Sequence, residues 1–564
     1  MSQHDFEHSR ENSGEYDFVI IGGGSAGCVL AGRLSEDPNV SVCLLEAGGN
    51  GNNWIVNIPA AAILSISTKI NNWAFDTTPQ AGLNGRLGYQ PRGKGLGGSS
   101  AINAMVYIRG HRQDYDHWAA LGNTGWSYDE VLPYFKKSEH NERINNEFHG
   151  QDGPLNVSDL QTDNPLQQTY LQAAREVGYP LNDDFNGATQ EGLGVYQVTQ
   201  KNGERWSAAR AFLLPHLERP NLHVKTFAHV QRIIIEDGRA VGVEFKQKKN
   251  IYTVRAKREV LLSAGAFQSP QILMLSGIGD QTELEQHGIQ VQHHLPGVGK
   301  NLHDHPDFVF GYKVKLTQGT FGFSPSGSFD LIRHIGNYRK TRRGLISTNF
   351  AECGGFLKTR PELAMPNLQL HFVVALVDNH GRTLHGGHGI SCHVCLTNPR
   401  SRGSVKLSGP HMDDPLKIDI NFLADPQDME DMVAGFKITK KLMDAQAFKP
   451  IIKQDIFSSQ VQSDEDIRKL LCQRVDTVYH PVGSCKMGID EMAVVDPELK
   501  VHGIDGLRVV DASIMPSVVN GNTNAPVIMI AEKAVDMIKQ TYQDTAAASM
   551  DSINLEKAEP AVLA

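Results

Sequence analysis

The chain has 564 residues with a 40% hydrophobic and 7% aromatic content, more than one ordinary core uses, so two or more domains are expected. Lys+Arg 54 against Asp+Glu 63 leaves a net charge of −9, without the basic surplus a nucleic-acid partner requires. No apolar run approaches the roughly 18 residues of a membrane span, the polar start MSQHDFEHSRENSGE has no signal-peptide core, and seven cysteines suit a reducing compartment better than a disulfide framework.

In chain order, YDFVIIGGGSAG is a short apolar run that delivers Gly22, Gly24 and Gly27 into a helix, the pattern of a dinucleotide-binding turn. Gly22 permits the tight turn, Gly24 lets backbone approach a pyrophosphate, and Gly27 allows close packing of helix on strand, with the helix N-terminus facing the anion. The next strand, VSVCLLE, ends in Glu46, 24 residues beyond Gly22, near the offset at which an acidic side chain meets a ribose hydroxyl.

The glycine-rich stretch RGKGLGGSSAINAMVYIRG can offer backbone N–H groups and Arg92 or Lys94 to an anionic pyrophosphate. HVKTFAHVQRIIIEDGRAVGVEF alternates apolar and polar residues around Asp237-Gly238 and reads as a β-hairpin. VLLSAGAFQSPQILMLSGIG gives a buried strand, the small-residue turn Ala264-Gly265-Ala266, and a helix whose expected start is Ser269-Pro270. Two clusters tempt a metal reading, His303-Asp304-His305 and Cys392-His393-Val394-Cys395, but neither has further residues at ligand spacing, so both read as structural and no metal is expected.

From about 310 to 470, alternating segments such as NLQLHFVVALV and GISCHVCLTNP predict an antiparallel sheet with covering helices, after which LRVVDASIMP and the helix VIMIAEKAVDMI restore α/β character. The nucleotide-binding unit is therefore expected in separated pieces with a second domain inserted between them. The small-residue, polar stretch from QDTAAASMDS onward predicts a poorly ordered tail.

Taken together, YDFVIIGGGSAG with Glu46, PRGKGLGGSSAINAMVYIRGH, LLSAGAFQSPQILMLSGIG, YHPVGSCKMG and VVDASIMPSVVNGNTNAPVIMIAEKAVDMI resemble, in order, the motifs of the glucose-methanol-choline oxidoreductase family, in its bacterial alcohol and choline dehydrogenase branch. The resemblance implies an α/β fold. A Rossmann-like FAD-binding domain would be assembled from 15–160, 200–315 and 475–540, an inserted α+β substrate domain from 161–199 and 316–474, and flexible tails from 1–14 and 541–564.

It further implies that FAD is held by Gly22, Gly24, Ser25, Ala26, Gly27, Glu46 and Ala47, and by Arg92, Gly93, Gly97, Gly98, Ser99, Asn103, Ala104, Met105 and Val106. Val230, Ala264, Asp511, Ala512, Asn522 and Thr523 complete that set. Covalent relatives attach the flavin through a histidine where this chain has Ile102, so a dissociable cofactor is expected.

By the same resemblance His480 lies over the flavin and takes the hydroxyl proton, and Asn524, 44 residues later, is its partner. Hydride leaves a carbinol carbon readily only as the oxygen gains alkoxide character, which calls for a base and an N–H donor at that oxygen. The helix starting near Pro526 would turn its positive end toward the flavin, favouring the reduced ring.

Glu352 and Tyr479 are candidates for holding a cationic substrate head, although Glu352 reads more readily as structural or flavin-contacting. The expected reaction is oxidation of a primary alcohol to its aldehyde, with electrons passed to a quinone-like acceptor. Choline is the alternative substrate, and a non-redox lyase or a flavoprotein without turnover are more distant readings. A cytoplasmic location is expected, with peripheral contact at the inner face of a membrane left open.

Overall fold

The chain folds around two sheets in a computed structural model that describes residues 11–558 apart from 316. The first sheet has seven strands, in the order Leu222–Lys225, Val42–Leu45, Glu11–Ile21, Asn250–Leu262, Arg239–Gln247 and Ala228–Glu236, with Leu507–Val509 paired to Asn250–Leu262. Glu11–Ile21 lies parallel to both neighbours, whereas the hairpin around Asp237-Gly238 is antiparallel. The parallel strands are apolar without alternation, as expected where helices cover both faces: Val42, Cys43, Leu44 and Leu45 are all buried.

The second sheet has eight strands. Its main path runs Ile452–Asp455, Pro306–Val314, Gly387–Leu396, Leu368–Val373, Ala351–Leu357 and Gly192–Val195, antiparallel throughout. Pro306–Val314, which the sequence reading grouped with the nucleotide-binding pieces, sits inside this second sheet, and Asp476–Thr477 pairs with it. The strand that carries His303-Asp304-His305 at its foot is thus bound to the segment immediately before His480.

Two further elements depart from expectation. The helix Gly265–Leu275 begins before Ser269-Pro270 rather than at it, with Pro270 inside. The proline withholds its N–H from the Ala266 carbonyl four residues earlier, and the Ser484 hydroxyl donates to that carbonyl instead. At the ends of the chain, the first strand starts at Glu11 and the last helix spans Asn524–Ala558, so 11–14 and 541–558 belong to regular elements rather than tails. The remainder of both expected tails, 1–10 and 559–564, lies outside the described residues. The last helix packs on Ser25–Leu34, where Arg33 pairs with the buried Glu532 at 2.7 Å.

Candidate active site

The two sheets enclose a cavity of about 1180 Å³. Every residue expected at the cofactor, the catalytic pair or the substrate lines it except Gly27, Gly97 and Glu352. Gly27 works from behind the wall: a Cβ there would sit 1.9 Å from the Gly22 carbonyl, so only glycine lets this helix reach the turn. At Gly24 the nearest atom to such a Cβ is 3.9 Å away, leaving backbone bare toward the cavity.

Glu46 closes this end. Its carboxylate accepts the Gly23 N–H at 2.8 Å and the Gly48 N–H at 2.7 Å, while burial pushes its pKa up. Asp511 ties the second βα turn, accepting the Gly265 N–H at 2.8 Å and the Ser269 hydroxyl at 2.5 Å. The Ser263 hydroxyl, buried in the cavity wall, has no protein partner. A bare glycine turn, an unserved hydroxyl and an acidic strand end suit a dinucleotide diphosphate and ribose.

At the other end, His480 is set by a clamp on its own peptide bond. Arg92 Nη2 donates to the Tyr479 carbonyl at 2.8 Å, and Asp304 accepts the His480 N–H at 2.9 Å, so opposite charges hold opposite ends of one peptide unit. Tyr479 has φ +76°, uncommon for a bulky residue and costing on the order of 1–3 kcal/mol, which the clamp and the Tyr479 N–H bond to Thr477 at 2.6 Å hold in place. Arg92 was expected to meet a diphosphate; the structure directs its guanidinium to this carbonyl instead. Burial lowers its pKa to about 10, while burial raises that of Asp304 to about 6.

The proton positions on His480 follow from a hydrogen-bond chain. The Tyr196 hydroxyl donates to the Leu370 carbonyl at 2.7 Å and accepts from Gln369 Nε2 at 3.3 Å, and the same Nε2 donates to Asn522 Oδ1 at 3.0 Å. That turns Asn522 Nδ2 toward His480 Nε2, at 3.1 Å. An amide nitrogen only donates, so His480 Nε2 carries the lone pair, and Nδ1–H faces His305 Nδ1 at 3.1 Å. Burial holds the His480 pKa well below the usual histidine value, reinforced by His305, His371 and Arg92 nearby.

One expectation is not met in the geometry: the side chain placed against His480 Nε2 is that of Asn522 rather than Asn524, whose side-chain oxygen accepts the Ser25 hydroxyl at 2.8 Å, linking two helix starts. Spacing along the chain could not separate two asparagines two residues apart, which point to different walls. Glu352 does not enter the cavity although its neighbours Phe350 and Ala351 do. Its carboxylate accepts from Thr348 at 2.7 Å and Gln167 at 2.9 Å, and burial raises its pKa. Glu352→Gln is therefore expected to lower the melting temperature while leaving the preference between choline and neutral alcohols unchanged, as parallel thermal and kinetic measurements would register.

Sequence reasoning passed over the second layer. Among the described residues no group of ligands is placed for a metal, and in the His303-Asp304-His305 segment Asp304 and His305 carry the His480 clamp and tautomer. In the Cys392-His393-Val394-Cys395 segment, His393 Nδ1 meets Asp307 at 2.6 Å. Gln369 carried no signal at all.

The sequence profile of the GMC oxidoreductase family matches residues 16–307 and 399–531. The chain is 48% identical to an alcohol dehydrogenase [acceptor] of Pseudomonas putida over 531 residues, covering 93% of this chain and 95% of that protein. It is 43% identical to the mitochondrial choline dehydrogenase of Mus musculus over 535 residues, 93% and 89% of the two chains. The fold is similar, with TM-score 0.87 and 30% identity over 94% of this chain and 99% of the other, to a variant of Aspergillus oryzae formate oxidase solved for its FAD modification.

Proposed function

The chain belongs to the GMC oxidoreductase family, and from that we propose that it oxidises a neutral primary alcohol to its aldehyde with a dissociable FAD and passes the electrons to a quinone-like acceptor. The observation that carries the reading is the pair His480 and Asn522, a neutral imidazole lone pair and an amide N–H 3.1 Å apart on the cavity wall. An alcohol oxygen beside them, within reach of both, gives its proton to His480 Nε2 while the second N–H of Asn522 Nδ2 donates to the same oxygen, stabilising the developing alkoxide. Gln369 keeps that amide from turning its oxygen toward the alkoxide.

FAD, when bound, supplies the acceptor for the hydride that leaves the carbinol carbon. Glu46, the turn at Gly22 and Gly24, and Asp511 with Ala512 would hold its nucleotide and diphosphate portions, and the Asn524 helix start would face its polar ring edge.

A neutral substrate is favoured over choline because the glutamate proposed for the cation is turned away from the cavity, and because the alcohol dehydrogenase relative stands at the higher identity. Anaerobic addition of aliphatic and aromatic alcohols and of choline to the oxidised protein tests this: neutral alcohols are expected to bleach the flavin. Bleaching by choline alone would reverse the substrate assignment, and no bleaching of a loaded flavin would end the dehydrogenase reading.

Dissociable FAD rests on Ile102, a buried residue of the cavity wall with no nucleophile to offer. Acid precipitation is expected to leave the yellow colour in the supernatant, and flavin retained in the pellet would refute it.

A further inference from the structure

Tyr479, whose left-handed backbone leads directly into His480, is also held at a point the clamp does not reach. Its hydroxyl lies 2.8 Å from His380 Nδ1, and both residues line the cavity. Burial pushes the pKa of that hydroxyl up, so it keeps its proton and can donate. The other ring nitrogen of His380, Nε2, is 3.4 Å from the Asp476 carboxylate, which places the imidazole proton there and leaves the Nδ1 lone pair for Tyr479. The His380 ring packs between two tyrosines, its centroid 5.3 Å from that of Tyr89 and 5.5 Å from that of Tyr479.

The backbone beneath His380 aims it. Asn379, His380 and Gly381 have φ of +48°, +58° and +77°, a left-handed run that is uncommon outside glycine and costs on the order of 1–3 kcal/mol at a residue held there. Asp378 closes this turn: its carbonyl accepts the Gly381 N–H at 3.0 Å, and its carboxylate accepts from Arg474 at 2.8 Å and from His385 at 2.9 Å. Asp476 in turn is fixed by Arg86 at 2.9 Å and by the pairing of Asp476–Thr477 with Pro306–Val314. Two residues in left-handed backbone, His380 and Tyr479, are thus joined through their side chains, and strain of this kind persists only where the surroundings over-determine it.

We propose that His380 is a positioning residue for the base: by holding the Tyr479 hydroxyl it keeps the peptide that carries His480 from turning, and so fixes where the imidazole meets the alcohol oxygen. The inference rests on the reading of His480 as base. The strain at Tyr479 would be relieved by rotating φ back to negative values, a motion that swings the Tyr479 ring and displaces the next residue, His480. Arg92 and Asp304 resist that motion at the peptide itself, and His380 resists it at the far end of the side chain, where a small rotation makes the largest displacement.

Stopped-flow reduction of the FAD-loaded protein, with whichever alcohol reduces the wild type fastest, tests this. His380→Leu and Tyr479→Phe break the bond from either side. Each is expected to lower the limiting reduction rate by about 10- to 10²-fold, the scale of a misplacement of about 1 Å, with FAD content and the alcohol's dissociation constant nearly unchanged. The double variant should be no slower than either single one, since the same bond is lost in all three. His380→Leu should likewise add nothing to His480→Ala. Tyr479→Phe removes a single oxygen, so it carries the test if the leucine variant folds poorly. A normal limiting rate in Tyr479→Phe, losses that multiply in the double variant, or a further loss in the His480→Ala background overturns the proposal. So does an effect of His380→Leu confined to the dissociation constant, which would make His380 a substrate contact. A near-normal rate in His480→Ala itself would remove the base, and the proposal with it.

Discussion

Replacing His480 by alanine is expected to slow flavin reduction by alcohol about 10²- to 10⁴-fold, the range for removing a positioned general base, with FAD content unchanged. The expectation rests on the lone pair at Nε2 and on the clamp from Arg92 and Asp304 that fixes the ring's backbone. A near-normal rate in stopped-flow measurements would remove His480 from the chemistry. Burial, reinforced by His305, His371 and Arg92, keeps the pKa of free His480 well below the usual value, so the reduction rate should stay level as pH falls through about 6.5 and drop only under more acid conditions.

The same burial has a cost in acid. His305, held near 4, and His371, held near 3, share the cavity region with His480, and all three remain neutral in the folded protein where the unfolded chain would take up protons. A depressed histidine pKa leaves stability intact above the unfolded value and erodes it as pH falls from there toward the folded value. The melting temperature should therefore decline between about pH 6.5 and about pH 4, over and above the loss caused by carboxylates. A flat profile across that window would mean that these rings are not held neutral in the native state.

What the sequence disclosed and what it hid divide along a physical line. The nucleotide end was legible because its constraints are local: Gly27 must clear a carbonyl of its own turn, and Glu46 must end the next strand. The insertion of an antiparallel sheet was legible from a change of period. The catalytic end depends on contacts between residues far apart in the chain, such as Asp304 with the His480 N–H and Gln369 with Asn522. No short-range pattern records such contacts, so Arg92 was sent to the diphosphate and His303-Asp304-His305 was set aside. The second-sheet strand Pro306–Val314 was assigned to the wrong group for a related reason, since its pairing partners lie some 80 and 140 residues further on.

Asn522 and Asn524 give the sharpest contrast between chain spacing and geometry. Asn522→Ala removes the N–H that faces the reacting oxygen and is expected to slow reduction by about 10²- to 10³-fold, the loss seen when a single preorganised donor to a developing oxyanion is deleted. Because that bond strengthens as the alkoxide forms, most of the effect should fall on the limiting reduction rate and little on the alcohol's dissociation constant. Asn524→Ala removes an acceptor for the Ser25 hydroxyl and is expected to change the rate only a few-fold while weakening FAD retention, since Ser25 opens the first helix at the nucleotide turn. Gln369→Ala should reproduce part of the Asn522 effect by freeing the amide to rotate, although Gln369 itself is buried behind Asn522 and does not line the cavity. If Asn524→Ala proved the more damaging to reduction and Asn522→Ala were silent, the donor would have to be reassigned to the helix start, and the tautomer of His480 with it.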